Sequence, residues 1–252
     1  MTVAPVSADY TLTIVPDATT MGRLAADVVA ATVRADPAAA ISLPTGNSPL
    51  PLFAELIARV AAGTLDLSRV HLFCLDEYVG LTPEDPASLT GWLRQALIAP
   101  TGIDPSRVHA LPATDDDPIA AAARYEADLA AHGGLALAVL GIGPNGHIGY
   151  NEPGSAADSR TRVLDLTQGS VDQAAAYWEG SVEVPRRAMT MGVATLLEAR
   201  RLILIATGAG KAEIVRRALR EPMSAEVPAS WLRLAPERLE VILDEGAAGR
   251  LG

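Results

Sequence analysis

Leu202-Ile203-Leu204-Ile205-Ala206-Thr207-Gly208-Ala209-Gly210-Lys211 is the stretch whose reading decides the fold. An unbroken apolar run of Leu and Ile suits a strand covered on both faces, because a half-exposed strand would alternate with polar residues. A glycine-rich turn follows, and Lys211–Leu219 then carries apolar residues at helical spacing. Working outward, similar apolar runs recur at Thr11–Val15, Ala39–Leu43, Val70–Leu75, Leu135–Ile142 and Glu240–Leu243. Helix-periodic segments lie between them at Thr20–Arg34, Leu50–Ala61, Ile119–Ala131 and Arg186–Glu198. Strand–helix alternation predicts βαβ units. The expected fold is α/β: a doubly wound, mostly parallel, Rossmann-like sheet with helices on both faces. Ligands of such sheets bind at the carboxyl ends of the strands.

The chain has 252 residues, 49% hydrophobic and 20% charged, enough apolar surface for one continuous core. One catalytic α/β domain over 1–252 is expected. The longest stretch without clear period is Asn151–Asp172, and a long irregular segment inside a compact domain is often a lid. A lid is expected around 160–185. A net charge of -10 argues against nucleic acid or an anionic membrane as partner. A small anion can still bind through helix N-termini and a few cations. No apolar run reaches the roughly 18 residues of a membrane span. Met1–Tyr10 lacks the basic start and apolar stretch of a secretory leader. Cys74 is the single cysteine. A cytoplasmic location is expected, and self-association into a homo-oligomer stays open.

Four polar segments each follow an expected strand, which puts them on one rim. Thr45-Gly46-Asn47-Ser48-Pro49 can present backbone N–H groups to an anion, with Ser48 as helix N-cap and Pro49 at the first helical position. A capped turn with no ligand also accounts for it. Asp76-Glu77 are neighbouring carboxylates whose side chains should point to opposite sides. One can serve as a base in a cleft while the other makes structural hydrogen bonds; a charged surface strand end is the plain alternative. Gly141–Pro153 contains G-x-G-x-x-G but continues through Pro and polar residues instead of opening a helix, so a dinucleotide site is rejected. His147, with Glu152 five residues on, suits a histidine–carboxylate pair. Thr207–Lys211 is not a P-loop, since Ala212 replaces the required Ser or Thr. A Lys at a helix N-terminus opposes the macrodipole, a conflict that a bound anion would resolve; a Lys reaching to solvent is the common alternative.

His71 begins a strand, His109 falls in a loop, and His132 ends a helix, with no spacing that suggests zinc. The acidic run Asp115–Asp117 reads as a helix cap. Arg160 and Arg162 could contact an anion or solvate their loop.

Taken together, Asp76–Leu81, Gly146–Pro153 and Ser159–Arg162 resemble the signature segments of the glucosamine-6-phosphate deaminase/isomerase family. The Thr45–Pro49 loop, Met191–Leu196 and Gly210–Ala212 match in order. Tyr78 and Ile148–Pro153 point away from the related 6-phosphogluconolactonases. The resemblance implies conversion of glucosamine 6-phosphate and water to fructose 6-phosphate and ammonia, without metal or redox cofactor. It implies Asp76 as the base between C1 and C2, His147 as promoter of ring opening, Glu152 as its partner and Asn145 at a position shared by Asn and Asp. Thr45, Gly46, Asn47, Ser48 and Lys211 would bind substrate. One departure stands out. Family members place a phosphate-binding Arg just before an aromatic pair in the lid; here Ala176 precedes Tyr177-Trp178. Lactone hydrolysis, an altered sugar, and phosphate-sugar binding without turnover stay open as alternatives.

Overall fold

The computed structural model describes residues 10–177 and 183–252; the side chains of Ala176 and Tyr177, Trp178, the first nine residues and part of the expected lid lie outside the described residues. The strands are β1 (Thr11–Val15), β2 (Ala40–Ser42), β3 (His71–Phe73), β4 (Asp76–Tyr78), β5 (Val108–His109), β6 (Leu137–Leu140), β7 (Arg162–Asp165), β8 (Arg187–Thr190), β9 (Leu202–Ala206) and β10 (Leu239–Asp244). Seven of them form a parallel sheet in the order β1-β10-β9-β6-β2-β3-β5. Every residue of β9 is buried, as its unbroken apolar run requires.

Helices cover both faces. On one side α1 (Ala18–Ala35) and α2 (Leu50–Ala61) pack with α3 (Leu89–Leu93), which runs through a π-helical turn into α4 (Ala99–Thr101). On the other side α5 (Pro118–Ala131) and α8 (Ala212–Arg220) cover the sheet, with α7 (Val193–Leu197) and α9 (Glu245–Ala248) nearby. Asp117 caps α5 by accepting from the Ala120 amide at 3.0 Å, with Pro118 in the first helical position, so the acidic run does act as a cap. Burying each large aliphatic side chain in these two layers stabilises the fold by about 1.5–3 kcal/mol before entropy is counted.

Three expectations need correction. Arg186–Glu198 is not one helix: it forms β8, a turn at Met191-Gly192, and α7. β8 pairs antiparallel with both β4 and β7 in a second, three-stranded sheet, and that pairing outweighs local helix propensity. A Cβ on Gly192 would meet Ser159 O at 2.1 Å, so glycine lets the Ser159-Arg160 backbone lie against the turn. Ser48 is not an N-cap; α2 begins at Leu50 after Pro49, with no side-chain cap. His109 lies in edge strand β5, not a loop. The remaining helix α6 (Gln168–Tyr177) begins inside the Asn151–Asp172 stretch read as lacking clear period and runs on within the expected lid. Among the described residues, no helix is long and apolar enough to cross a membrane.

Candidate active site

A cleft of about 340 Å³ opens where the loops after β2, β6 and β9 meet the start of β4. Its lining includes Thr45, Gly46, Asn47, Ser48, Asp76, His147 and Lys211. Four segments far apart in sequence therefore converge at the carboxyl edge of the parallel sheet.

β4 positions the two carboxylates by strand alternation. Asp76 is only 5% exposed and lines the cleft. Its Oδ1 has no hydrogen-bond partner among the described residues. Burial, reinforced by the neighbouring Glu77 charge, pushes its pKa up to about 7. Glu77 faces away and accepts from the amides of Tyr78, Leu89 and Thr90 and from Ser88 Oγ, at 2.7–3.0 Å. Four donors satisfy one carboxylate, while the other stays ready to take a proton.

The loop after β6 holds the imidazole. His147 Nδ1 lies 3.6 Å from Glu152 Oε2 and 3.4 Å from Ser170 Oγ. Asn145 bridges the loop: its Oδ1 accepts from the His147 amide at 3.1 Å and its Nδ2 donates to Glu152 Oε2 at 2.7 Å. The Thr167 amide and hydroxyl donate to Glu152 Oε1, each at 3.2 Å. Burial alone would raise the Glu152 pKa, but the neighbouring His147, Ser170 and Asn145 side chains hold it at about 2. Glu152 is thus a fixed negative charge behind the imidazole. Neither Glu152 nor Asn145 lines the cleft; their contacts are with His147 and its loop.

The G-x-G-x-x-G pattern has a different use from nucleotide binding. A Cβ on Gly143 would sit 2.2 Å from His147 Nε2, so Gly143 clears the space in which the ring lies. Gly143→Ala must displace that ring. Turnover is expected to fall about 100-fold, the scale of a 1 Å misplacement, with thermal unfolding little changed. Steady-state kinetics beside a melting curve checks this.

Lys211 ends a short 3₁₀ turn, Ala209–Lys211, just ahead of α8. Its Nζ donates to Ile142 O at 2.8 Å across the cleft floor, and burial lowers its pKa. It is half-buried, with its ammonium held on that carbonyl. Arg160 and Arg162 are engaged elsewhere: Arg160 with Glu198, Arg162 with Asn151 Oδ1 at 2.9 Å and Ser155 Oγ at 2.8 Å. Neither lines the cleft. Sequence reasoning missed Ser88, Trp92, Tyr150, Ser170 and Thr207, which do line it. Only Tyr150 and Thr207 lie in segments whose composition pointed there.

A family model described as glucosamine-6-phosphate isomerases/6-phosphogluconolactonase matches residues 17–242. A glucosamine-6-phosphate deaminase of Rhodopirellula baltica is 44% identical over 238 residues, covering 94% of each chain. One of Streptomyces coelicolor is 41% identical over 239 residues, covering 94% of this chain and 91% of that one. A solved structure of a monomeric glucosamine-6-phosphate deaminase superposes with a TM-score of 0.90 at 33% identity, over 95% of this chain and 99% of that one. A 6-phosphogluconolactonase from Trypanosoma brucei superposes with a TM-score of 0.77 at 20% identity, over 96% of this chain and 99% of that one, and shares the fold.

Proposed function

The chain belongs to the glucosamine-6-phosphate isomerase/6-phosphogluconolactonase family, and from that premise we propose that it converts glucosamine 6-phosphate and water to fructose 6-phosphate and ammonia. The observation that carries the reading is Asp76: a buried carboxyl with an unpartnered oxygen, its pKa near 7, in the same cleft as a carboxylate-backed histidine. His147 moves the proton that opens the pyranose ring and exposes the C1 aldehyde. Asp76 takes the C2 proton and returns it to C1, while the amine gives up one proton and the C1 oxygen gains one, so that C1 becomes an alcohol and the C2 amine an imine. Water hydrolyses the imine, leaving the ketose and ammonia. A base with a pKa near the working pH suits the enolisation step. Identity favours this over lactone hydrolysis, at 41–44% against 20%.

The phosphate group fits the Thr45–Ser48 loop together with Lys211. Charge-assisted contacts of this kind are worth roughly 1.5–3 kcal/mol. With Ala176 in place of the family's arginine, Lys211 carries a large share of that recognition. Lys211→Ala should raise KM for the phosphorylated sugar about 10- to 100-fold, with any activity on the unphosphorylated sugar almost unchanged. Ala176→Arg should lower KM. Ammonia release from a panel of amino sugars, with and without the 6-phosphate, tests the assignment. A preference for unphosphorylated sugar would refute the phosphate site.

We further infer that α6 and the segment around 160–185 act as a lid on a single catalytic domain. Ser170, Gln173 and Ala174 of α6 line the cleft, which supports this reading.

A further inference from the structure

Three histidines distant in sequence meet outside the cleft. β3 and β5 are parallel neighbours with Phe73 opposite His109. His71 precedes Phe73 by two residues, so both side chains project on the same face. α5 covers that face, and His132 at its C-cap drops onto the same spot. One ring nitrogen from each of His71, His109 and His132 lies within 4.8 Å of the others. His71 Nδ1 and His109 Nε2 are 3.0 Å apart. None of the three lines the cleft. The spacing in sequence gave no hint of zinc because the ligand set comes from two strands and a helix end.

We propose that His71, His109 and His132 form a binding site for one first-row divalent transition-metal ion of the zinc class. Imidazole nitrogens are the ligands that zinc and its neighbours prefer, and a three-histidine set leaves a fourth position for water. The surroundings orient the rings as metal ligands require. His109 Nδ1 faces Asp128 Oδ2 at 2.6 Å, and His132 Nδ1 faces the Asp128 carbonyl oxygen at 2.9 Å. Both Nδ1 atoms therefore carry the proton and both Nε2 atoms are left unprotonated, the carboxylate–histidine arrangement found behind zinc ligands; the His109 Nε2 lone pair faces His71 Nδ1. The Phe73 ring stacks on His109 at 4.0 Å between centroids and fixes its plane. Burial, with the nearby cations, lowers the pKa of His71, and burial lowers that of His109 despite Asp128.

His71 needs one adjustment. Arg107 donates to its Nε2 at 2.7 Å, which leaves the ring proton on Nδ1, pointing at His109. On metal binding that proton moves from Nδ1 to Nε2, Nδ1 coordinates, and Arg107 turns to its other acceptor, Arg69 O, 3.1 Å away. No proton is gained or lost. Arg107 thus competes with the metal, which gives the proposal a signature that a purely structural histidine cluster lacks.

The test is titration of the full chain with zinc chloride by calorimetry, with cobalt absorption as a second readout. One ion per chain is expected to bind. His132→Asn should abolish that binding, and Asp128→Asn should weaken it about 10- to 100-fold. Arg107→Met should tighten it, and His147→Ala should leave it unchanged. Zinc should raise the melting temperature of the wild type but not of His132→Asn; a cooperative melt of that variant shows that it is folded. Absence of saturable one-to-one binding would overturn the proposal. So would binding that survives His132→Asn, or that Arg107→Met weakens.

Discussion

Asp76→Asn is expected to lower kcat by about 10²–10⁴-fold, the usual contribution of a positioned general base, while the protein stays folded. The amide is nearly isosteric and fills the same buried position at the start of β4. Stability should move the other way. The Asp76 carboxyl has a folded pKa of about 7 against an ordinary 3.8. Below the ordinary value both states are protonated and the group costs nothing. As pH rises towards 7 the unfolded chain ionises first, so the native state loses stability, and the penalty is complete above 7. Asp76→Asn should therefore melt at a higher temperature than the wild type at pH 8, with the gap closing near pH 4. In the free enzyme, kcat/KM should rise through about pH 7 as Asp76 ionises. Near-normal turnover by Asp76→Asn would remove it from the base role.

His147→Ala and Glu152→Gln should each lower kcat by about 10²–10⁴-fold, and the double variant should be little worse than the more damaging single one. The reason is geometric: Glu152 does not line the cleft and sits 3.6 Å from His147 Nδ1. A double-mutant cycle measures this coupling. A ring-opened substrate analogue should partly rescue His147→Ala, since it skips the step that needs the imidazole. Additive losses without rescue would argue that the two residues work separately. Glu152→Gln also has a signature in stability. The folded pKa of Glu152 is about 2 against an ordinary 4.5. Its contribution is fully present above the ordinary value and is lost as pH falls through about 2. The variant should thus be less stable than the wild type at pH 7, and the difference should vanish on acidification.

The parallel sheet was legible because strands buried on both faces leave unbroken apolar runs. Leu202–Ala206 falls on β9 with the same ends and is buried throughout; Thr11–Val15 also matches the ends of β1, an edge strand that is largely exposed and alternates polar with apolar residues. β4, β7 and β8 were hidden because they are three or four residues long and rich in polar residues such as Asp76, Arg162 and Arg187. Only their mutual pairing makes them strands. In the site, the residue types and the strand-end placement of Asp76, His147 and Lys211 could be read directly. The division of work between Asp76 and Glu77 could not. It depends on Ser88, Leu89 and Thr90, the N-cap and first turn of α3, which satisfy Glu77 from eleven to thirteen residues away. Gly143 was visible as a glycine, but its purpose emerges only once the His147 ring is seen lying over it. The histidine cluster is the extreme case, since 61 residues separate its first and last members, His71 and His132.

The most direct test is to measure ammonia and fructose 6-phosphate together, with wild type and Asp76→Asn, on glucosamine 6-phosphate, and to offer 6-phosphogluconolactone in parallel. Equal amounts of ammonia and ketose from the wild type, near silence from Asp76→Asn and no lactone hydrolysis are predicted. Lactone hydrolysis without ammonia release from the amino sugar would contradict the account.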